Sequence, residues 1–148
     1  KNLVDKGHKI LSYKVNADSS ANHLCQGDGN TESLMMETDS EKLMEAGVEL
    51  AKKTWKNFKN GVSNDPSYYD WFLGHQVGKI HEENILKKLE IEDINTYSTY
   101  EILGNTGSCA LPITLDLLSR NKKIERESKL ALLGIGSGLN CMAMEVEW

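Results

Sequence analysis

Three short Gly-bearing stretches hold the residues with chemistry to offer. They are "LGHQVG" at 73–78, "LGNTGS" at 103–108 and "GIGSG" at 134–138. His75 and Asn105 each follow a Leu-Gly pair. An imidazole N–H and an amide NH2 are both hydrogen-bond donors. Two donors converging on one point suit a carbonyl oxygen that gains negative charge during a reaction. Alone, each side chain has a plainer role. A His at a strand-to-helix junction caps the helix, and an Asn beside Gly forms turns and caps. With all three turns in order, the chemical role is the stronger one.

To serve together, these residues must be brought to one rim of a sheet. "HKILSYKV" alternates Leu11, Tyr13 and Val15 to one side, which predicts a strand. "NADSSANHLCQGDGNTESL" is polar and Gly-rich, and predicts a long loop. Thr38 followed by Glu41 fits a capping box. Leu43, Ala46, Leu50, Thr54 and Phe58 then recur at helical spacing. "NGVSNDPS" stops that helix, and "YYDWFLG" is a short buried strand. "HQVGKIHEENILKKL" predicts a helix starting at His75, with Val77, Ile80, Ile85 and Leu89 inward. A helix N-terminus there would disfavour the imidazolium. A neutral His75 could then donate a hydrogen bond, as in enolate-forming sites.

"TYSTYEILG" predicts an extended segment, and "CALPITLDLLSRN" a helix with Ala110, Ile113, Leu117 and Leu118 inward. "SKLALLGIG" and "LNCMAMEVEW" predict a closing hairpin, with Met142, Met144, Val146 and Trp148 on one side. Strands alternating with helices imply an α/β layered domain, and the hairpin makes its sheet mixed. Ligands of such sheets bind at strand ends, where the three turns lie.

The 148 residues suit one domain or half of a larger one. Hydrophobic residues are 39% and charged residues 26%, a globular balance that excludes wholesale disorder. The net charge of −5 gives no footprint for nucleic acid or an anionic membrane. No apolar run approaches a membrane span. Cys25, Cys109 and Cys141 are odd in number and widely spaced, so they read as free thiols of the cytoplasm. The chain opens "KNLVDKG" without Met, which reads as a processed or truncated piece.

Several motifs fail. "GIGSG" has Leu139 where a dinucleotide fingerprint needs Gly, and no helix follows. "HEENI" has Ile85 in place of the second His of a zinc protease. The Cys and His residues show no zinc spacing, and neither a cofactor nor a metal is expected. A Gly-x-Ser-x-Gly elbow followed by a helix is absent too. Ser108 reads as a helix cap rather than a nucleophile, His81 as a surface residue, and Gln76 and Gly78 as geometric. "NKKIERESK" reads as a charged surface loop.

"WFLGHQVGKIHEENILKKLEI", "EILGNTGSCALPITLDLL" and "LALLGIGSGLNCMAMEVEW" together resemble the C-terminal half of a 3-oxoacyl-[acyl-carrier-protein] synthase III. Within that thiolase superfamily the resemblance is strongest to the acyl-CoA-condensing enzymes of olefin biosynthesis. It spans about residues 35–148, with residues 1–34 similar to the last strand and loop of the family's N-terminal half. It implies one half of a five-layered αβαβα fold, a mixed sheet with packed helices. It also implies Claisen condensation of two acyl thioesters, carried on CoA or an acyl-carrier protein. His75 and Asn105 match the catalytic pair that binds the second thioester carbonyl. Ser137 matches the residue whose backbone N–H completes the oxyanion hole, and Gly136 and Gly138 match its substrate-binding neighbours.

The family's nucleophilic Cys and its substrate-deprotonating carboxylate belong to the other half. The resemblance therefore implies an N-terminal thiolase half as partner, a homodimer, and no activity from this piece alone. A non-catalytic, scaffolding subunit of the same fold is the alternative.

Overall fold

The computed structural model describes residues 7–27, 29, 32, 35–63, 65–121 and 123–148. Parts of the polar 16–34 segment and the 34/35 domain boundary thus lie outside the described residues. One mixed sheet organises the chain. Its strands are β1 (Lys9–Ala17), β4 (Trp71–Gly74), β5 (Asn95–Thr96), β6 (Lys129–Gly136) and β7 (Asn140–Glu147), in the order β1-β7-β6-β4-β5. β4 runs parallel to β6 and β5, while β7 is antiparallel to β6 and β1. The helices are α1 (Ser40–Lys59), α2 (Lys79–Leu89), the single turn α3 (Tyr100–Leu103) and α4 (Ala110–Arg120). A two-stranded ribbon, β2 (Cys25–Gly27) with β3 (Met36–Thr38), lies before α1.

The central strands are apolar on both faces because both faces are covered. Phe72, Ala131, Leu133, Cys141 and Ala143 pack with α1 and α2 residues such as Ala51, Trp55, Phe58 and Ile85. Leu73, Leu130, Leu132 and Val146 point the other way and pack with Leu118 of α4. The predicted stripe on α1 is seen, with Leu50, Thr54 and Phe58 buried.

The apolar side of β1 lies bare at the sheet edge, with Met142 of β7 beside it, while Val146 on that same side of β7 is buried and Met144 and Trp148 pack against its cluster. Tyr13 and Val15 pair with Met144 and Met142, and Tyr13, Val15 and Met142 are exposed. On the opposite side of β7 the small Cys141 and Ala143 are buried and let α1 approach closely. Polar side chains on that face are satisfied there. Ser12 donates to Glu145 at 3.0 Å, and Asn16 donates to Thr54 at 3.2 Å. A β-bulge between Ile10 and Ser12 sets this phase.

Four further expectations change. Asp39, not Thr38, caps α1, accepting from the Lys42 N–H at 3.2 Å, because Thr38 is paired with Cys25 in the ribbon. The polar segment after β1 is not all loop. It carries a 3-10 turn over Ser19–Leu24 and strand β2. Of "TYSTYEILG" only Thr96 lies in a strand, since the amides of Ile102 and Leu103 turn back to the Thr99 carbonyl. Finally, α2 begins at Lys79, so Val77 precedes it and Ile80 is 74% exposed. Among the described residues, no helix is long and apolar enough to cross a membrane.

Candidate active-site cleft

β4 delivers His75. The His75 N–H donates to the Leu133 carbonyl of β6 at 2.9 Å, continuing the parallel ladder one residue past the strand. The imidazole thus leaves from a fixed point of the sheet. It does not cap α2, whose N-cap is Gly78. The helix dipole therefore does not act on it within the first turn.

Gln76 locks the link that follows. It is buried, and its Oε1 accepts from the Thr99 N–H at 2.8 Å. Its Nε2 donates to the Gly74 and Tyr97 carbonyls, each at 3.4 Å. Thr99 in turn shares a 2.9 Å hydrogen bond with Thr114 of α4. One chain of bonds thus ties the His75 turn to the helix that follows the Asn105 turn. Gln76→Ala strands the buried Thr99 N–H. The expected cost is about 1–3 kcal/mol. Urea unfolding of the full-length protein checks it.

Asn105 follows α3 rather than a strand, and is exposed. Its Oδ1 accepts from the Gly107 N–H at 2.9 Å. That bond occupies the side-chain acceptor and leaves the Nδ2 hydrogens to donate outward. Gly107 takes a positive φ of 61° to offer its N–H this way. Ser108 is exposed and does not cap α4; Cys109 takes the N-cap position without a side-chain bond.

The third turn joins β6 to β7. Gly138 has a φ of 92°, which favours glycine. Gly136 faces Asn140, whose Oδ1 would lie 3.0 Å from a Cβ there. His75, Asn105, Gly136 and Ser137 all line one cleft of about 440 Å3. Gly138 shapes the turn behind this wall. Leu43 and Met44 of α1 and Ile135 and Leu139 of the hairpin add an apolar lining. An apolar cleft with a few convergent polar groups is the form that small-molecule sites take.

His81 also lines the cleft, where the sequence suggested a surface residue. The signal was its spacing, six residues past His75 and one helical turn before Ile85, which is buried. Thr38 and Ser40 line it too. The thiols do not. Cys141 is buried, and burial pushes its pKa up to about 11. Among the described residues, no group of three His, Cys, Asp or Glu is placed to hold a metal.

Burial holds the His75 imidazole below its usual range, so desolvation supplies the neutrality that a helix dipole was expected to supply. His81 is lowered by burial first and by His75 second. The unfolded chain therefore binds more protons than the folded one once the pH falls below 6.5. Stability should decline from there down to the folded pKa values. The expected result is a melting temperature that falls as the pH is lowered through ~6.5, and falls less in His75→Asn. Thermal scans of the full-length protein across that range check it.

With this geometry in place, relatives can be compared. The model of the 3-Oxoacyl-[acyl-carrier-protein (ACP)] synthase III C terminal family matches residues 60–148. An acyl-CoA:acyl-CoA alkyltransferase of Shewanella oneidensis is 36% identical over 113 residues, 76% of this chain and 32% of that protein. A beta-ketoacyl-[acyl-carrier-protein] synthase III 2 of Bacillus cereus is 31% identical over 116 residues, 74% of this chain and 36% of that protein. Xanthomonas campestris OleA, solved with bound lauric acid and lauroyl-CoA, superposes with a TM-score of 0.88 at 32% identity, covering 99% of this chain and 42% of that one. The chain thus spans well under half the length of these relatives. Its layered sheet has their thiolase-like fold. With a family model over more than half its residues, the chain belongs to the C-terminal domain family of the 3-oxoacyl-[acyl-carrier-protein] synthase III condensing enzymes.

Proposed function

We propose that this chain supplies the carbonyl-binding side of a site that condenses two acyl thioesters. The observation that carries this reading is the meeting of three turns on one cleft, with His75, Asn105 and Ser137 in its wall. In the reaction, the α-carbon of one acyl thioester becomes nucleophilic as its carbonyl takes on enolate character. The neutral His75 and the Asn105 amide hydrogen-bond that oxygen and lower the energy of the developing charge. The enolate carbon then attacks a second acyl group, whose own carbonyl oxygen takes up charge. In this reading the Ser137 backbone N–H is the donor to that oxygen. It makes no hydrogen bond to another described residue, so it is open to donate. The leaving thiol departs, and a 3-oxoacyl thioester remains.

The second acyl group needs a nucleophile to carry it. None of the three cysteines lines the cleft, the exposed Cys109 included. Cys141 is buried with a raised pKa, and Cys25 lies against Met36 and Thr38 of the ribbon. The nucleophile and the base that removes the α-proton are therefore assigned to another part of the protein, and this chain alone is inactive. Acyl-CoA is the favoured donor. The named activity of the Shewanella relative and the lauroyl-CoA bound to OleA support this. An acyl-carrier protein donor is second, supported by the synthase III relatives.

Incubating the full-length protein with long-chain acyl-CoA and analysing products by mass spectrometry tests the proposal. A 3-oxoacyl product from two acyl groups is expected. Formation only with acyl-carrier protein thioesters would move the substrate assignment. No carbon–carbon bond formation with either donor would leave the scaffolding role instead.

A further inference from the structure

Beside the cleft, His75 and His81 share a second, smaller chamber of about 10 Å3. Phe72 and Ile85 wall it, and Gln76 and Glu82 complete its polar lining. That size is the room of a single water, and a buried water needs two to four polar partners. The Nδ1 atom of His81 is buried and makes no hydrogen bond within the described residues. The other polar groups there are already engaged. Gln76 uses both ends of its amide on Thr99, Gly74 and Tyr97. Glu82 accepts from the Ser98 hydroxyl at 2.5 Å. Two histidines thus line one water-sized space, and one of them holds a buried polar atom without a partner among the described residues.

We propose that His81 is a positioning residue for His75: one water in the shared chamber bonds both rings and fixes which His75 nitrogen carries the proton toward the cleft. A neutral imidazole has one N–H and one lone pair. If the cleft-side nitrogen is to donate to a carbonyl, the other must be the acceptor. A water held by His81 donates to that lone pair and makes the other tautomer unfavourable. The orphaned Nδ1 is the atom that holds the water, and neither ring needs to be charged. This inference rests on His75 acting as a carbonyl donor.

The test uses the full-length protein with 15N-labelled histidine. NMR reads the tautomer of His75, its signal identified by its loss in His75→Asn. One neutral tautomer is expected in the wild type. His81→Phe, which keeps the bulk and removes both nitrogens, should give a mixture of tautomers. It should also lower kcat by about tenfold or more, with KM unchanged. His81→Asn, whose amide can take the place of Nδ1, should restore the single tautomer and most of kcat. A mixture in the wild type, or an unchanged single tautomer in His81→Phe, would overturn the role. A mixed wild-type spectrum overturns the role even where a variant does not fold. The tautomer measurement also needs no substrate. It therefore judges His81 separately from whether the protein condenses acyl thioesters.

Discussion

His75→Ala in the full-length protein is expected to lower kcat for acyl-thioester condensation by about a hundredfold to a thousandfold. His75 is held by the sheet rather than by a mobile loop, with its backbone N–H donating to the Leu133 carbonyl at 2.9 Å. In the proposed reaction, removing it deletes a donor that acts on charge formed in the transition state. The loss should therefore fall on kcat, with little change in KM. Asn105→Ala should act in the same direction and by a similar order, because its Nδ2 is the second donor. The double variant should lose far less than the product of the two single losses, since both side chains serve one oxygen. Steady-state kinetics on the four proteins measure this. Full activity in either single variant would show that the donor pair is not the working part of the cleft. Folding should survive both changes, because His75 is only partly buried and Asn105 is exposed.

Trp55→Ala should have the largest effect on stability, about 3–5 kcal/mol. Trp55 is 3% exposed and sits among Phe58, Tyr69 and Phe72, with ring centroids 5.4, 6.0 and 5.7 Å away. The Phe72 contact is edge-on at 89°. Such aromatic pairs contribute beyond their buried area. This cluster joins α1 to β4, and so joins the apolar wall of the cleft to the strand that carries His75. The indole N–H has no partner among the described residues. Trp55→Phe should therefore cost much less, since it removes an unsatisfied donor while keeping a ring. Urea midpoints followed by circular dichroism would separate the two. Equal losses for Phe and Ala would mean the indole itself, not the ring packing, holds the cluster.

Much of this arrangement is legible in the residues. The stripe through Leu50, Thr54 and Phe58 places α1, and the runs "WFLG" and "KLALLGIG" place the two parallel strands. Residues fully buried on both faces leave no other element to choose. The three turns at 73–78, 103–108 and 134–138 are legible as a set because each combines a glycine with a polar side chain. What stayed hidden depended on long-range contact. Alternation in "ILSYKV" shows a strand but not which face is covered. Small Cys141 and Ala143 admit α1 on the opposite side, so the apolar side of the edge is the bare one. The residues alone place the start of α2 too early because Gln76, 21 and 23 residues from its partners Tyr97 and Thr99, holds the link extended. Local propensity carries no trace of that bond. His81 was assigned to the surface because a polar residue on a charged helix most often lies there. Only the packing of α2 against α1, beside the hairpin, brings it into the cleft.

The central claim is that His75 and Asn105 hold one thioester carbonyl. The most direct measurement is a crystal structure of the full-length protein with an acyl-CoA amide analogue, in which N–H replaces the thioester sulfur. The carbonyl oxygen is expected within roughly 2.7–3.2 Å of both a His75 ring nitrogen and the Asn105 Nδ2. The analogue bound elsewhere, or bound in this cleft with its carbonyl turned from both side chains, would contradict the account.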